Sequence, residues 1–141
     1  MKVTIERINE DYLFECKNAK GATLLLDNTS QEGAKGVSPM ESVLMAVAGC
    51  SGIDMVSILK KQRQEVTTFK AEVEGERHVV DEAKPFKKIQ LHFFLEGEID
   101  PRKAQKAAQL SFEKYCSVSK TLEPQVEVGY QVSVNGSLIE S

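Results

Sequence analysis

The run from Ser42 to Ile53 (SVLMAVAGCSGI) constrains this fold most, because its twelve consecutive residues carry no charge. The four residues from Ser38 to Glu41 predict a helix start: Ser38 can cap, proline suits the first helical position, and Glu41 completes a capping box. The helix is expected to end near Arg63. Because its middle is apolar on every side, the helix should be central, covered by sheet, other helices or a second subunit.

Length and charge limit the possible classes of protein. A chain of 141 residues is expected to form one domain, residues 1–141. A net charge of −3, without a long basic cluster, argues against a nucleic-acid partner. The start of the chain has no signal-peptide pattern, and the uncharged run is shorter than the roughly twenty apolar residues that a bilayer requires. Three cysteines without paired spacing fit a reducing compartment, so we expect a cytoplasmic protein without a membrane partner.

The order of predicted elements indicates an α+β fold. Alternating apolar residues predict six strands, at residues 3–8, 12–16, 22–26, 66–80, 87–98 and 126–134. The first three are expected to form an antiparallel meander, and the fourth and fifth a hairpin. Asp100-Pro101 predicts a second helix that ends near Tyr115, and residues 117–122 predict a short third helix. Strands and helices are thus segregated along the chain, which is typical of α+β rather than doubly wound proteins.

Cys50 lies between Gly49 and Gly52, and each mid-helix glycine costs about 1 kcal/mol relative to alanine. Small residues suit tight helix packing, but they also suit a pocket in which a substrate approaches the thiol. Asp54 lies one helical turn on, on the same face as Cys50. A protonated Asp54 could orient the thiol, whereas an ionised one would oppose thiolate formation. Asp54 could equally cap a helix or pair with a cation elsewhere.

Cys116 is predicted to be the more reactive thiol. If it opens the third helix, free amides and the helix dipole should lower its pKa, and Lys120 adds a positive charge. If Ser117 and Ser119 do the capping instead, Cys116 is a buried residue. The third cysteine, Cys16, is in phase with apolar residues on one strand face and is interpreted as packing.

The two histidines are predicted to lie in strands, at wet edges of a sheet. A zinc site built from Cys50, His78, His92 and Cys116 is a weaker alternative, because no second imidazole or thiol stands at metal-site spacing. We therefore expect no metal and no cofactor. The sequence also lacks a glycine-rich phosphate loop and a serine nucleophile elbow.

Two segments, SPMESVLMAVAGCSGIDMVSILKKQRQ and YCSVSKTLEP, resemble the OsmC/Ohr family of thiol-dependent peroxidases, and in particular its OsmC-like branch. The resemblance spans nearly the whole chain. It implies an OsmC-like fold, with antiparallel sheets around a central buried helix, and an intertwined homodimer with active sites at the interface. It also implies that Cys50 attacks the peroxide and becomes a sulfenic acid, that Cys116 resolves it as a disulfide, and that an external thiol reduces this disulfide.

One position departs from the family pattern. Peroxidase members carry a glutamate directly after the helix-leading proline, paired with an arginine from an N-terminal segment. Here that position is Met40, Glu41 follows one place later, and Arg7 stands in no matching context. Arg63 or Lys120 could act as the substitute cation.

The sequence therefore leaves three hypotheses about function. The first is thiol-dependent reduction of organic hydroperoxides or hydrogen peroxide in oxidative-stress defence, with Cys50 and Cys116 as catalytic residues and Asp54 and Glu41 as further candidates. The second is an OsmC-like protein that binds a small apolar ligand or senses redox state. The third is a structural cysteine pair without activity.

Overall fold

The computed structural model describes residues 1–140 and divides into two compact units, one ending at Val43 and the other beginning at Leu44. The first unit holds a three-stranded antiparallel sheet of β1 (Val3–Arg7), β2 (Phe14–Asn18) and β3 (Thr23–Leu26), in that order. Asparagine side chains close its two turns by accepting backbone N–H groups, Asn9 before β2 and Asn18 before β3. The predicted meander is confirmed.

Helix α1 (Pro39–Lys61) starts with the predicted capping box. The Glu41 N–H donates to Ser38 Oγ at 3.1 Å, and the Ser38 N–H donates to Glu41 Oε1 at 2.8 Å. These bonds satisfy two of the amides that a helix start leaves without a partner, which explains why the helix begins here.

Two different faces run along α1. Four side chains one turn apart are fully buried: Val47, Ser51, Met55 and Leu59. On another face Met45 is 52% exposed and Ile53 is 71% exposed. A single chain therefore leaves one apolar face of this helix exposed. The prediction that the helix is covered on every side is not met by one chain alone. By length and composition α1 could also cross a membrane, a test that core helices of soluble proteins pass as well.

The second unit contains a four-stranded sheet in the order β4 (Glu65–Arg77), β5 (Phe86–Glu98), β6 (Glu127–Val134) and β7 (Ser137–Leu138). β4 and β5 form the predicted antiparallel hairpin. The expectation of purely antiparallel sheets is wrong for β5 and β6, which pair in parallel. A crossover through helices joins these two strands and returns the chain to the end at which β5 started. β7, which was not predicted, follows a turn at Asn135-Gly136.

The crossover consists of α2 (Pro101–Leu110), a π-helical turn (Ser111–Tyr115) and α3 (Ser117–Leu122). Asp100 caps α2 as predicted, since its carboxylate accepts the Arg102 N–H at 2.9 Å. The predicted second helix does end at Tyr115, but its last five residues form a π-helical turn. The core of this unit is built from side chains of the helices and the central strands, principally Met55, Leu59, Ile89, Leu91, Phe93, Leu95, Ala104, Ala107, Ala108 and Val132.

Candidate active site

Three chemically reactive side chains, two thiols and one carboxylate, meet in the second unit. The Sγ atoms of Cys50 and Cys116 and a carboxylate oxygen of Asp54 all lie within 4.8 Å of one another. Cys50 and Asp54 are four residues apart on α1 and so share a helix face, while Cys116 comes from the break before α3. The fold thus joins two thiols that lie 66 residues apart in the sequence.

Cys50 is the more accessible of these two thiols, because it is half-buried in the middle of a regular helix. A Cβ atom added at Gly49 would meet nothing within 4 Å, and one added at Gly52 would meet only the Phe69 ring, at 3.5 Å. Within the chain neither glycine is required by close packing. The small residues therefore leave open space beside Cys50.

Cys116 is fully buried and caps α3 with its own sulfur. The Ser119 N–H donates to Cys116 Sγ at 3.4 Å. Burial nevertheless raises the pKa of the Cys116 thiol, outweighing the hydrogen bonds from Ser119 that lower it, and the Cys50 thiol raises it further. The prediction that the helix start lowers the pKa of Cys116 is therefore wrong, because burial penalises the thiolate more than the helix start stabilises it.

Asp54 is held by a residue that sequence reasoning missed. Buried Ser111 donates its hydroxyl to Asp54 Oδ2 at 2.9 Å, and its carbonyl oxygen accepts the Cys116 N–H at 2.7 Å. Ser111 therefore ties the carboxylate to the backbone of the second cysteine. The signal in the sequence was a hydroxyl on the buried stripe that Ala104, Ala107 and Ala108 define, since a polar residue on such a stripe needs a partner.

Neither cation considered for thiolate activation forms a salt bridge with Asp54. The three salt bridges among residues 1–140 are Lys17–Glu15, Lys70–Glu72 and Arg102–Asp100, so none includes Asp54. Arg63 follows the end of α1, about 20 Å along the helix from Cys50 at 1.5 Å per residue. Lys120 is exposed on α3.

Glu41, a candidate site residue, and Arg7 both have local partners in the first unit. Glu41 is bonded in the capping box, where hydrogen bonds from Ser38 hold its pKa below the ordinary value. The Arg7 guanidinium donates to the backbone carbonyls of Glu10 and Asp11. Cys16 is half-buried on β2, opposite Ile5 and Leu24.

A cavity of about 520 Å³ opens beside Asp54. Its walls combine apolar and polar side chains, namely Asp54, Ser57, Ile58, Lys61, Gln62, Leu110 and Tyr115. The buried Oε1 atom of Gln62 has no hydrogen-bond partner among the described residues. The candidate site therefore adjoins a cavity whose walls are partly apolar and partly polar.

The histidines do not join the cysteines. His78 is exposed just beyond the end of β4 and not within a strand. His92 lies on β5, a central strand rather than an edge, and its Nε2 atom is 2.8 Å from Ser133 Oγ. Among residues 1–140 the only grouping of three or more His, Cys, Asp or Glu side chains at ligand distance is Cys50, Asp54 and Cys116.

Comparisons with known proteins agree with this architecture. The model of the OsmC family, described as OsmC-like protein, matches residues 32–131. Protein YhfA of Escherichia coli (strain K12) is 42% identical over 127 residues, which cover 89% of this chain and 92% of that protein.

Two solved structures show the same fold. The OsmC-like protein from Mycoplasma pneumoniae superposes with a TM-score of 0.80 at 18% identity, over 94% of this chain and 95% of that one. The organic hydroperoxide resistance protein OsmC from Legionella pneumophila superposes with a TM-score of 0.69 at 18% identity, over 95% and 98%. The α+β fold, the family model and the identity to YhfA agree: this chain belongs to the OsmC/Ohr family, as an OsmC-like protein.

Proposed function

We propose that this protein reduces hydroperoxides, with Cys50 as the attacking thiol and Cys116 as the resolving thiol. The observation that carries the proposal is the approach of the two sulfur atoms to within 4.8 Å. Membership of the OsmC/Ohr family, in which the Legionella relative is named for organic hydroperoxide resistance, supports the same chemistry. The substrates are organic hydroperoxides or hydrogen peroxide, and the role is defence against oxidative stress.

The two thiols have different surroundings, and this sets their order in the reaction. Cys50 is half-buried whereas Cys116 is fully buried, so a peroxide reaches Cys50 first. The Cys50 sulfur attacks one peroxide oxygen, the O–O bond breaks, and the thiol becomes a sulfenic acid. The other oxygen takes the thiol proton and leaves as an alcohol or water.

Cys116 then completes the cycle. Its sulfur attacks the Cys50 sulfenic acid, water leaves, and a disulfide forms. An external thiol or dithiol reduces this disulfide by thiol exchange. Asp54 accepts the Cys50 proton and passes it to the leaving oxygen, and Ser111 holds the carboxylate in place through the 2.9 Å bond. Glu41 serves α1 as a cap.

In this proposal the working form of the protein is a pair of chains, although the reacting groups of each site belong to one chain. The face of α1 around Met45, Gly49 and Ile53 is apolar and exposed, and it carries no charge. A groove of about 460 Å³ follows that face, between α1 and β4. A second copy of the chain covers it in a homodimer located in the cytoplasm, with no membrane or nucleic-acid partner, and each copy acts as one functional domain.

A second function is favoured by the cavity beside Asp54. The apolar side chains Ile58 and Leu110 line its wall, and the structure places no cation in a salt bridge with Asp54 among residues 1–140. A protein of this design would bind a small apolar ligand or sense redox state, with little peroxide turnover.

Rapid mixing with cumene hydroperoxide separates these functions. The reduced protein should consume one peroxide and lose two thiols per chain, with a disulfide between Cys50 and Cys116 by peptide mass. Cys116→Ser should lose one thiol and retain a sulfenic acid that dimedone traps. Cys16→Ser is the matched control and should behave as the wild type.

Two outcomes would remove the proposal. One is survival of the Cys50 thiol for minutes at stoichiometric peroxide. The other is peroxide consumption by Cys50→Ser at the wild-type rate. Sedimentation velocity tests the dimer separately, since a monomer at micromolar concentration would contradict it.

A further inference from the structure

The same three side chains suit a different ligand. Two sulfur atoms and one carboxylate oxygen form a mixed donor set, which transition metals such as zinc prefer and which calcium and magnesium do not. We propose that Cys50, Asp54 and Cys116 form a binding site for a thiophilic divalent cation, with Zn²⁺ as the best match. The proposal does not depend on peroxide chemistry.

The distances allow metal binding after small side-chain rotations. Two thiolates bound to a tetrahedral zinc at 2.3 Å are about 3.8 Å apart. The donor atoms here lie within 4.8 Å of one another, so each must move by about 1 Å or less. The donors also come from two separate segments, the middle of α1 and the break before α3, so the folded chain assembles the site.

The surroundings of the carboxylate support ligation. Metal-binding carboxylates are generally oriented by a second hydrogen bond, and Ser111 Oγ supplies one to Asp54 Oδ2 at 2.9 Å. That bond leaves the other oxygen available for a metal. No Lys or Arg forms a salt bridge with Asp54 among residues 1–140, so a bound cation would not displace one.

A site with three protein ligands is expected to leave one coordination position of the metal open. Three protein ligands leave a fourth tetrahedral position for water or another small ligand, as in catalytic rather than structural zinc sites. Asp54 also lines the cavity of about 520 Å³, which gives such a ligand room. On binding, the two thiols release their protons to solvent and the sulfurs bond to the metal. An occupied site would therefore block Cys50 from attacking a peroxide.

Cobalt(II) tests the site without any activity measurement. The reduced protein, freed of metal with a chelator and kept without oxygen, should bind one Co²⁺ per chain. The product should show thiolate-to-cobalt charge-transfer absorption and the intense d–d bands of a tetrahedral ion, and Zn²⁺ should abolish both. Competition with a chromogenic chelator then gives the zinc affinity of each variant.

Variants distinguish this site from random thiol binding. Cys50→Ser and Cys116→Ser should each lose at least about 100-fold in zinc affinity, and Asp54→Asn should lose at least about tenfold while still accepting the Ser111 hydrogen bond. Ser111→Ala, which removes only the supporting bond, should lose about tenfold. Cys16→Ser, whose thiol lies in the first unit, should bind as the wild type does. Circular dichroism of each variant confirms that it is folded.

Three results would overturn the proposal. They are a cobalt spectrum without thiolate bands, equal zinc affinity in Cys50→Ser and Cys16→Ser, and equal affinity in Asp54→Asn and the wild type. The metal titration contains no peroxide, and a chelator added to the peroxide assay keeps that assay free of metal, so failure of one function leaves the other test intact.

Discussion

The two helices associated with the cysteines, α1 and α3, start in different ways, and only the start of α3 uses a cysteine. α1 begins with an ordinary capping box, and Cys50 lies three turns later with no part in forming the helix start. α3 begins at Cys116 itself, whose sulfur accepts the Ser119 N–H. Cys50 is therefore free to react without cost to its helix, whereas Cys116 stabilises local structure and is buried as well.

The largest expected consequence is a difference in labelling rate. Iodoacetamide should alkylate Cys50 about 100-fold faster than Cys116 in the reduced protein, because reaching Cys116 needs a local opening of about 3 kcal/mol. Peptide mass spectrometry over time measures both rates in one sample. Equal rates would break the comparison, and labelling in urea, where both thiols are accessible, is the control.

Alanine substitution should separate the structural roles of the two thiols. Cys116→Ala removes a buried sulfur and a helix cap, so it should lower the free energy of unfolding by about 2 kcal/mol. Cys50→Ala should change it by less than about 0.5 kcal/mol, since it removes a half-buried thiol and adds a good helix former. Urea unfolding of both variants checks the contrast, and a larger loss for Cys50→Ala would reverse it.

The start of α1 sharpens the same comparison. Ser38→Ala should cost about 1 kcal/mol of unfolding free energy, because it removes the hydroxyl that accepts the Glu41 N–H at 3.1 Å. It should leave the labelling rate of Cys50 unchanged. Ser117→Ala, at an exposed position, is the control. A changed labelling rate of Cys50 in Ser38→Ala would show that the start of α1 and the thiol are coupled.

The smallest effect concerns pH. Burial raises the pKa of the folded Cys116 thiol above its ordinary value of 9.0, so the protonated thiol is the form that favours folding. Its contribution to stability is complete below that ordinary value and is lost as pH rises through the higher folded pKa. The unfolding free energy should thus fall more steeply above pH 9.0 in the wild type than in Cys116→Ser. The same dependence of the unfolding free energy on pH in both proteins would contradict the raised pKa of Cys116.

Local sequence signals predicted most of the elements. The capping residues Ser38 and Asp100 fixed two helix starts, and alternating apolar residues located six of the seven strands. These features depend on neighbours within a few residues, so the sequence alone carries them. The parallel pairing of β5 with β6 depends on how the crossover docks, and no local pattern reports that.

Three of the four residues predicted for the candidate site lie together, whereas Glu41 serves as a helix cap. The spacing of Cys50 and Asp54 placed both on one helix face, and the resemblance to a family supplied the pairing of Cys50 with Cys116. Ser111 was missed, and the direction of the Cys116 pKa was wrong. Both depend on burial by segments that are distant in sequence. This burial removes water from the start of α3 and places Ser111 beside Asp54.

The π-helical turn at Ser111–Tyr115 absorbs one surplus residue, because the Cys116 N–H bonds to a carbonyl five residues back rather than four. Deleting a single residue between Ser111 and Cys116 would turn this same bond into an ordinary α-helical one and leave Cys116 where it is. Deleting a residue from the regular turns of α2 would instead carry Cys116 about 100° round the helix axis. The crossover therefore has one place where a one-codon deletion would spare the pairing of the thiols.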